Sequence, residues 1–274
     1  QVLFLSQANE AFETYYNANL FMVSAAGGQA RDLTKEFGNE VTDAAWSKDG
    51  RAIFFIANMG VHSQLFEMPA AGGAPKALTS GNHALGGWSY APASGRHIFT
   101  KDDPANAGDV FTTTTGAITQ VSHVFDRYAT EFRLPRQEKV AWKGADGVTV
   151  EGVLFYPLDY QQGQRYPLVV QTHGGPQASD KFGFGRWSNY TQVLAAKGYV
   201  VLQPNYRGST GYGDAFLRDM VGQAYPALAE LAAAVRVDRP VERQPGAVGA
   251  VQDVARDEVE VLDAGAPAQR RRRG

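Results

Sequence analysis

The chain of 274 residues contains no cysteine, which excludes disulfide bonds, thiolate metal sites and cysteine nucleophiles. No apolar run approaches the ~18 residues of a membrane-spanning helix, so we expect no membrane partner. The net charge of −2 gives no reason to expect a nucleic acid as a partner. The lack of cysteine does not fix the compartment, and the sequence leaves both compartment and oligomeric state open.

The sequence also lacks the motifs of several enzyme classes. It contains no P-loop, dinucleotide-binding pattern or cluster of metal ligands, so we expect neither a cofactor nor a metal ion. It contains no Gly-x-Ser-x-Gly, the strained turn that carries the nucleophile of an α/β-hydrolase. Ser209 comes closest, in Gly208-Ser209-Thr210-Gly211, but Arg207 stands two positions before it, where that crowded turn needs a small residue. We interpret Ser209 as a turn residue.

A repeat of about 45 residues runs through the first half of the chain. Asn19-Leu-Phe-Met-Val-Ser-Ala-Ala-Gly-Gly28 matches Gln64-Leu-Phe-Glu-Met-Pro-Ala-Ala-Gly-Gly73, and Phe111 continues the spacing into a third copy. The pairs Leu33-Thr34 and Leu78-Thr79 keep the same offset. Short strands joined by glycine turns at this period are typical of β-propeller blades.

We therefore expect about three blades within residues 1–127. Between the copies, Trp46-Ser-Lys-Asp-Gly-Arg51 predicts a turn at Asp-Gly, with the indole against a neighbouring blade. A closed propeller needs about four blades or more. The chain enters a strand-like segment directly after Gln1, so we expect the missing blades to precede it, and the lack of a leader peptide carries no information.

The second half has a different pattern, which begins after a linker at about residues 125–136. Apolar runs and turn residues predict strands at 139–143, 148–156, 168–171 and 199–204, and helices at 187–197 and 214–220. A hairpin turn is predicted at Ala145-Asp146-Gly147, and Gly198 is predicted to end the first helix. The strand–helix–strand order predicts a parallel crossover in an α/β sheet.

Two short motifs follow the last two predicted strands. His173-Gly174-Gly175-Pro176 follows the first, and Asn205-Tyr206-Arg207-Gly208-Ser209-Thr210-Gly211-Tyr212-Gly213 follows the second. Together with the repeats upstream, this arrangement resembles the prolyl oligopeptidase (S9) family of serine peptidases, in particular its acylaminoacyl-peptidase and dipeptidyl-peptidase branch. The resemblance covers roughly residues 1–222. It implies a mixed fold, with a partial β-propeller at 1–127 and the N-terminal part of an α/β-hydrolase domain at 128–222.

The resemblance also implies roles for both motifs. His173, Gly174, Gly175 and Pro176 would form the oxyanion loop, with the Gly175 N–H as the donor to the oxyanion. His173 would shape this loop and would not be the catalytic base. The second motif would lie beside the active site, through Asn205, Tyr206, Arg207, Gly208, Ser209, Gly211, Tyr212 and Gly213. We expect the charged Arg207 to anchor neighbouring loops through carboxylates.

No catalytic triad residue is assigned within this chain, because in the family that it resembles the triad would lie beyond residue 222. The four remaining histidines are expected at the surface or in turns: His62, His83, His97 and His123.

Residues 223–274 differ in composition from the rest of the chain. They contain no Ser, Thr, Asn, Lys, Ile, Phe, Trp, Met or His, and they end in a run of arginines before Gly274. We expect a shift of reading frame in GC-rich DNA near codons 220–225; the alternative is a genuine alanine-rich linker or tail. No aromatic residue interleaves with the arginines, which argues against a nucleic-acid site.

Three functions are compatible with these patterns. The first is a serine-type peptidase acting on short peptides, of which this chain is a fragment that lacks the nucleophile and is inactive as given. The second is a non-catalytic binding protein made of propeller blades. The third is an esterase of the same hydrolase fold, which the repeats argue against because esterases generally lack a propeller.

Overall fold

The computed structural model describes residues 1–9, 11, 13–114, 116–144, 146–175, 177–185 and 190–221, and two short strands at 251–252 and 259–261. The predictions made for Ala145, Pro176, Trp187 and most of residues 223–274 lie outside the described residues. A search of the described part found no helix with the length and apolar character that a bilayer crossing requires.

The first 120 residues form three antiparallel sheets, each built from strands that follow one another in the chain. The first sheet contains β1 (Val2–Ser6), β2 (Asn19–Val23) and β3 (Arg31–Asp32). The second contains β4 (Glu40–Trp46), β5 (Ala52–Asn58), β6 (Ser63–Pro69) and β7 (Lys76–Ala77). The third contains β8 (Ala84–Ala91), β9 (Arg96–Asp103), β10 (Asn106–Thr113) and β11 (Thr119–Gln120).

The sequence repeat is confirmed as a repeated hydrogen-bond pattern. In each sheet a side-chain hydroxyl accepts one backbone N–H of β2, β6 or β10 at 2.9 Å. The same hydroxyl donates to the side chain of the residue that precedes this N–H. The three sets are Asn19, Leu20 and Thr34; Gln64, Leu65 and Thr79; and Asp109, Val110 and Ser122. Strands β2, β6 and β10 are therefore equivalent, although their identification as propeller blades stays a prediction.

The turns between these strands have the predicted form. Gly27 and Gly72, at equivalent places in the first two sheets, have φ angles of 90° and 96°, which favour glycine. Asp49 accepts hydrogen bonds from the Ser47 hydroxyl at 2.7 Å and from the Arg51 N–H at 3.1 Å, which closes the predicted Asp-Gly turn. Trp46 packs on the apolar cluster shared by the first two sheets, as its sequence motif predicts.

The second half forms a mixed sheet flanked by short helices. In chain order its elements are α1 (Asp126–Glu131), β12 (Gln137–Lys143), β13 (Thr149–Phe155), β14 (Arg165–Tyr166), β15 (Leu168–Val170), α2 (Thr191–Ala196), β16 (Val200–Asn205) and α3 (Asp214–Arg218). The sheet order is β12-β13-β16-β15. A separate small sheet pairs β14 with β18 (Val259–Val261), which pairs in turn with β17 (Val251–Gln252).

The four predicted strands of this half and the parallel crossover are confirmed. Strand β15 pairs in parallel with β16, and α2 lies between them in the chain. The helix predicted from residue 214 ends at Arg218, short of 220. Gly198 follows α2 with a φ angle of 91°, as expected of a residue that ends a helix.

The expectation for the histidines was wrong at His97, whereas His83 lies in the connection between β7 and β8 but is buried. His97 lies inside β9 with 1% of its surface exposed, and His83 is 4% exposed, with its Nε2 2.9 Å from Gln64 Oε1. Burial lowers the pKa of each ring to about 4, so both are neutral core residues. His62 is half-buried in the turn before β6, and His123 is exposed beside Asp126.

The carboxylate of Asp109, in β10, joins the third sheet to the segment that follows this sheet in the chain. It is 1% exposed and accepts hydrogen bonds from the Ser122 hydroxyl at 2.5 Å and the Asn106 amide at 2.9 Å. It also accepts the N–H groups of Val124 at 2.8 Å and Phe125 at 3.1 Å. Burial would raise the pKa of Asp109, but these four donors outweigh it and lower the pKa to about 2.

We predict that Asp109→Asn lowers the free energy of unfolding by about 2 kcal/mol, since an amide cannot accept all of these donors. The exposed Asp49 also accepts a hydroxyl and an N–H, so Asp49→Asn is a matched control that should lower the free energy of unfolding much less. Urea unfolding measures both. Because the folded pKa lies below the ordinary 3.8, the wild-type advantage should be full above that value and fade as pH falls towards 2. A stability difference between wild type and Asp109→Asn that does not change with pH would contradict the role of the ionised carboxylate.

Candidate active site

The parallel pairing of β15 with β16 places the two sequence motifs side by side. Both strands run in the same direction, so their carboxyl ends reach the same edge of the sheet. The Gln171 N–H, just past β15, still bonds the Leu202 carbonyl of β16 at 2.9 Å. Carboxyl ends of parallel strands are where α/β sheets bind ligands. The predicted oxyanion loop and the predicted neighbouring loop therefore meet at this edge.

Three residues of these loops contact one another closely. The imidazole of His173 stacks on the Tyr206 ring, with centroids 4.6 Å apart and an angle of 16° between planes. The Tyr206 hydroxyl donates to the His173 carbonyl at 2.6 Å. His173 Nε2 lies 2.9 Å from Ser209 Oγ, and Ser209 donates its hydroxyl proton to the Tyr206 carbonyl at 2.5 Å.

A serine beside a histidine suggests a nucleophile and its base, but this pair does not have that geometry. Ser209 is 0% exposed, so a substrate carbonyl cannot reach its hydroxyl. The hydroxyl proton also points to a main-chain carbonyl. Burial lowers the pKa of His173, and the contact with the Gly174 carbonyl offsets only part of this effect. These contacts favour the interpretation of Ser209 as a turn residue and of His173 as a loop-shaping residue.

Gly175 occupies a backbone position that only glycine fits. Its φ angle is 136°, and a β-carbon there would lie 2.8 Å from the backbone nitrogen of Gln177. Gly174 and Gly175 are both exposed, so their main-chain groups are accessible to a ligand. Pro176, the last residue of the motif, lies outside the described residues.

The chain after the glycines is tied to the second motif at two further points. The Asp180 N–H donates to Asn205 Oδ1 at 2.7 Å, and Asn205 Nδ2 donates back to the Asp180 carbonyl at 2.9 Å. The Thr210 N–H donates to the Ala178 carbonyl at 2.9 Å. The hydroxyl of Tyr212 accepts a further bond from Asn205 at 2.9 Å.

Arg207 joins two loops through carboxylates, which confirms the role expected for it. Its guanidinium donates to Asp146 in the β12–β13 turn and, at 2.7 Å, to Asp219 just after α3. Only 13% of the Arg207 side chain is exposed. Two carboxylates around one half-buried guanidinium hold the second motif in place from outside the site.

The sequence analysis missed the residue that joins the β-sheets to both loops. Asn58, at the end of β5, is 3% exposed. Its side-chain nitrogen lies within hydrogen-bonding distance of Glu40 at 2.7 Å, Thr210 at 2.8 Å and Ser179 at 2.9 Å. Asn58 lies one residue before the bend between β5 and β6, and nothing in the sequence distinguishes it from an ordinary turn asparagine.

A cleft of about 510 Å³ lies between the second and third sheets and the chain that follows the glycines. Residues 177–182 form one wall, and Glu40, Asp43 and Asp102 contribute carboxylates to the others. Burial raises the pKa of Asp102 and of Asp180 to about 6 and lowers the pKa of Lys181 to about 8. In the described ranges no three His, Asp or Glu side chains are grouped so that they could hold a metal ion.

The chain is similar to known peptidases in sequence, and its fold is similar to that of a solved peptidase. The model of the prolyl oligopeptidase family matches residues 186–225. Dipeptidyl-peptidase 5 of Porphyromonas gingivalis is 24% identical over 81% of this chain and 32% of its own length. Dipeptidyl aminopeptidase BIII of Pseudoxanthomonas mexicana is 54% identical over 18% of this chain and 7% of its own length.

Among solved structures, the acylaminoacyl peptidase of Pyrococcus horikoshii matches with a TM-score of 0.66 at 17% identity, over 85% of this chain and 35% of that one. At this identity the likeness shows the fold alone. The chain spans about a third of the length of these relatives, apart from the short local match.

We predict that Arg207→Lys lowers the free energy of unfolding by about 1–2 kcal/mol. The ammonium of lysine is more strongly hydrated and lacks the fixed planar N–H directions with which Arg207 Nη1 meets both carboxylates. Arg133→Lys is the matched control, since the Arg133–Asp159 pair is largely exposed and its loss should cost under about 0.5 kcal/mol. Thermal or urea unfolding measures both. Equal effects of the two substitutions would mean that the Arg207 contacts do not hold the loop.

Proposed function

We propose that this chain, which belongs to the prolyl oligopeptidase (S9) family in its acylaminoacyl- and dipeptidyl-peptidase branch, is part of a serine peptidase that hydrolyses short peptides. In this proposal residues 1–127 are propeller blades, residues 128–222 begin the α/β-hydrolase domain, and residues 223–274 are an aberrant tail. The chain itself lacks a nucleophile and is inactive as given.

The observation that carries the proposal is the position of the His173–Gly175 turn. It stands at the carboxyl end of a parallel strand, its two glycines are exposed, and its neighbours Tyr206 and Ser209 are buried and hydrogen-bonded. Exposed amides on a rigid support are what a tetrahedral oxyanion requires. The Gly175 N–H remains the proposed donor. The second donor would follow the nucleophile, which this sequence lacks.

The cleft supports peptides as the substrate class. Its wall at residues 177–182 follows the glycines closely in the chain, and we therefore place the backbone of a peptide substrate in this cleft. The cleft also contains backbone and side-chain polar groups from the second and third sheets, with Asn58 and Thr100 among them. A peptide carries the amides that such groups can bond.

The chain as printed should not react with a fluorophosphonate probe, since an oxyanion loop without a nucleophile and base does not form a covalent adduct. We would compare the wild-type chain with Ser209→Ala on a fluorescence gel, with an active serine peptidase as positive control. We expect no labelling of either protein. Labelling lost in Ser209→Ala would make Ser209 a nucleophile, and labelling retained in it would assign that role to another serine; both results contradict the proposed inactivity.

Resequencing the DNA across the codons for Asp219 to Tyr225 tests whether residues 223–274 arise from a shifted reading frame. We expect one inserted or deleted base, whose correction opens a frame that reaches Gly-x-Ser-x-Gly and then an aspartate and a histidine. The corrected protein should then hydrolyse aminoacyl-anilides faster than simple acyl esters. If the printed frame is confirmed, the peptidase proposal fails for this gene, and the non-catalytic propeller binding protein takes its place.

A further inference from the structure

The contacts among His173, Tyr206 and Ser209 form a closed circuit of hydrogen bonds. The circuit runs from the His173 ring to the Ser209 hydroxyl, from that hydroxyl to the Tyr206 carbonyl, and from the Tyr206 hydroxyl back to the His173 carbonyl. The stacking of the His173 and Tyr206 rings adds a contact that restricts the orientation of both rings. The circuit ties the first residue of one loop to the second residue of the other.

The circuit determines where the imidazole proton lies. Ser209 has one hydroxyl proton, and the Tyr206 carbonyl at 2.5 Å receives it. The oxygen of Ser209 must then accept from His173 Nε2, so Nε2 carries the proton of the neutral ring. Nδ1 lies 3.2 Å from the Gly174 carbonyl, a longer contact that is a hydrogen bond in the Nδ1–H tautomer or, once Nε2 carries a proton, in the doubly protonated ring. Burial opposes that charged form.

The circuit also fixes one peptide plane of the glycine turn. The Tyr206 hydroxyl holds the His173 carbonyl at 2.6 Å. In a trans peptide the carbonyl and the following N–H point in opposite directions, so the Gly174 N–H points away from Tyr206. Glycine has no side chain to restrict its backbone, so without an outside contact the two glycines would sample many orientations.

We propose that Tyr206 and Ser209 are positioning residues that hold the His173–Gly174 peptide plane and so keep the Gly174 amide in one orientation, from which the backbone of Gly175 continues. The chemical purpose of this orientation rests on the proposed function, because an ordered amide is needed where it stabilises an oxyanion. The circuit itself is a property of the chain and can be tested without turnover. The bonds of Ala178 and Asp180 to the second motif do not depend on it, so its loss should free the glycines alone.

Nuclear magnetic resonance on the full labelled chain tests the proposal. The ring 15N and 13C shifts of His173 report its tautomer, and 15N relaxation reports the order of the Gly174 and Gly175 amides. Tyr206→Phe and Ser209→Ala each remove one oxygen from the circuit. Tyr190→Phe, which removes the same oxygen from a 53% exposed side chain, is the matched control.

We expect the Nε2–H tautomer in the wild-type chain and a shift towards Nδ1–H in Ser209→Ala. In Tyr206→Phe the order parameter of the Gly174 amide should fall from about 0.85 to below about 0.6, the range of flexible backbone. Tyr190→Phe should change neither reading. The Gly211 amide, bonded to Asn17 Oδ1 at 3.0 Å, should stay ordered in every variant and reports that the fold is intact.

An Nδ1–H tautomer in the wild-type chain overturns the proposal, and this result needs no variant to fold. Glycine amides that stay ordered in both circuit variants overturn it as well. A failure of the proposed function is detected by other measurements, namely the DNA reading frame and the labelling experiment. The two failures are therefore distinguishable.

Discussion

The buried amide of Asn58 is the contact on which the arrangement of the site depends. It lies at the end of β5 and faces Ser179 of one loop and Thr210 of the other, at 2.9 Å and 2.8 Å. A buried amide without partners would cost about 1–3 kcal/mol for each unmet group, so these bonds disfavour separation of the sheets from the loops. Asn17 acts in the same way from β2's side: its Oδ1 accepts the Gly211 N–H, and its own N–H groups bond Asp214.

The sequence predicted those features that depend on local pattern. The offset of 45 residues was visible because each copy needs the same hydroxyl to cap the same backbone N–H, and Thr34 and Thr79 both do so at 2.9 Å. The strand–helix–strand unit was visible because apolar runs and Gly198 mark its limits. The anchoring role of Arg207 followed from its being the one charge in a glycine-rich loop. Each of these predictions required only residues close together in the sequence.

The features that the sequence did not predict depend on distant partners. Asn58 and Thr210 are 152 positions apart, and Asp102 accepts N–H groups from Phe184 and Gly185, more than 80 positions away. The burial of His97 follows from side chains packed around β9, which no local pattern specifies. The same limit applies to the stacking of His173 on Tyr206, because the sequence around either residue does not indicate the other as its partner.

A short distance between serine and histidine is therefore a weak indication of catalysis. The Ser209 and His173 side chains are 2.9 Å apart, yet the serine is buried and its proton is directed to a carbonyl. The burial of Ser209 and its bond to a carbonyl are both consistent with a structural role. Two exposed glycines cannot hold their own amides in place, because they contribute no side-chain contacts. The rigidity of such a turn has to come from neighbours that are themselves buried and fully bonded, and a serine–histidine pair closed by a tyrosine supplies it.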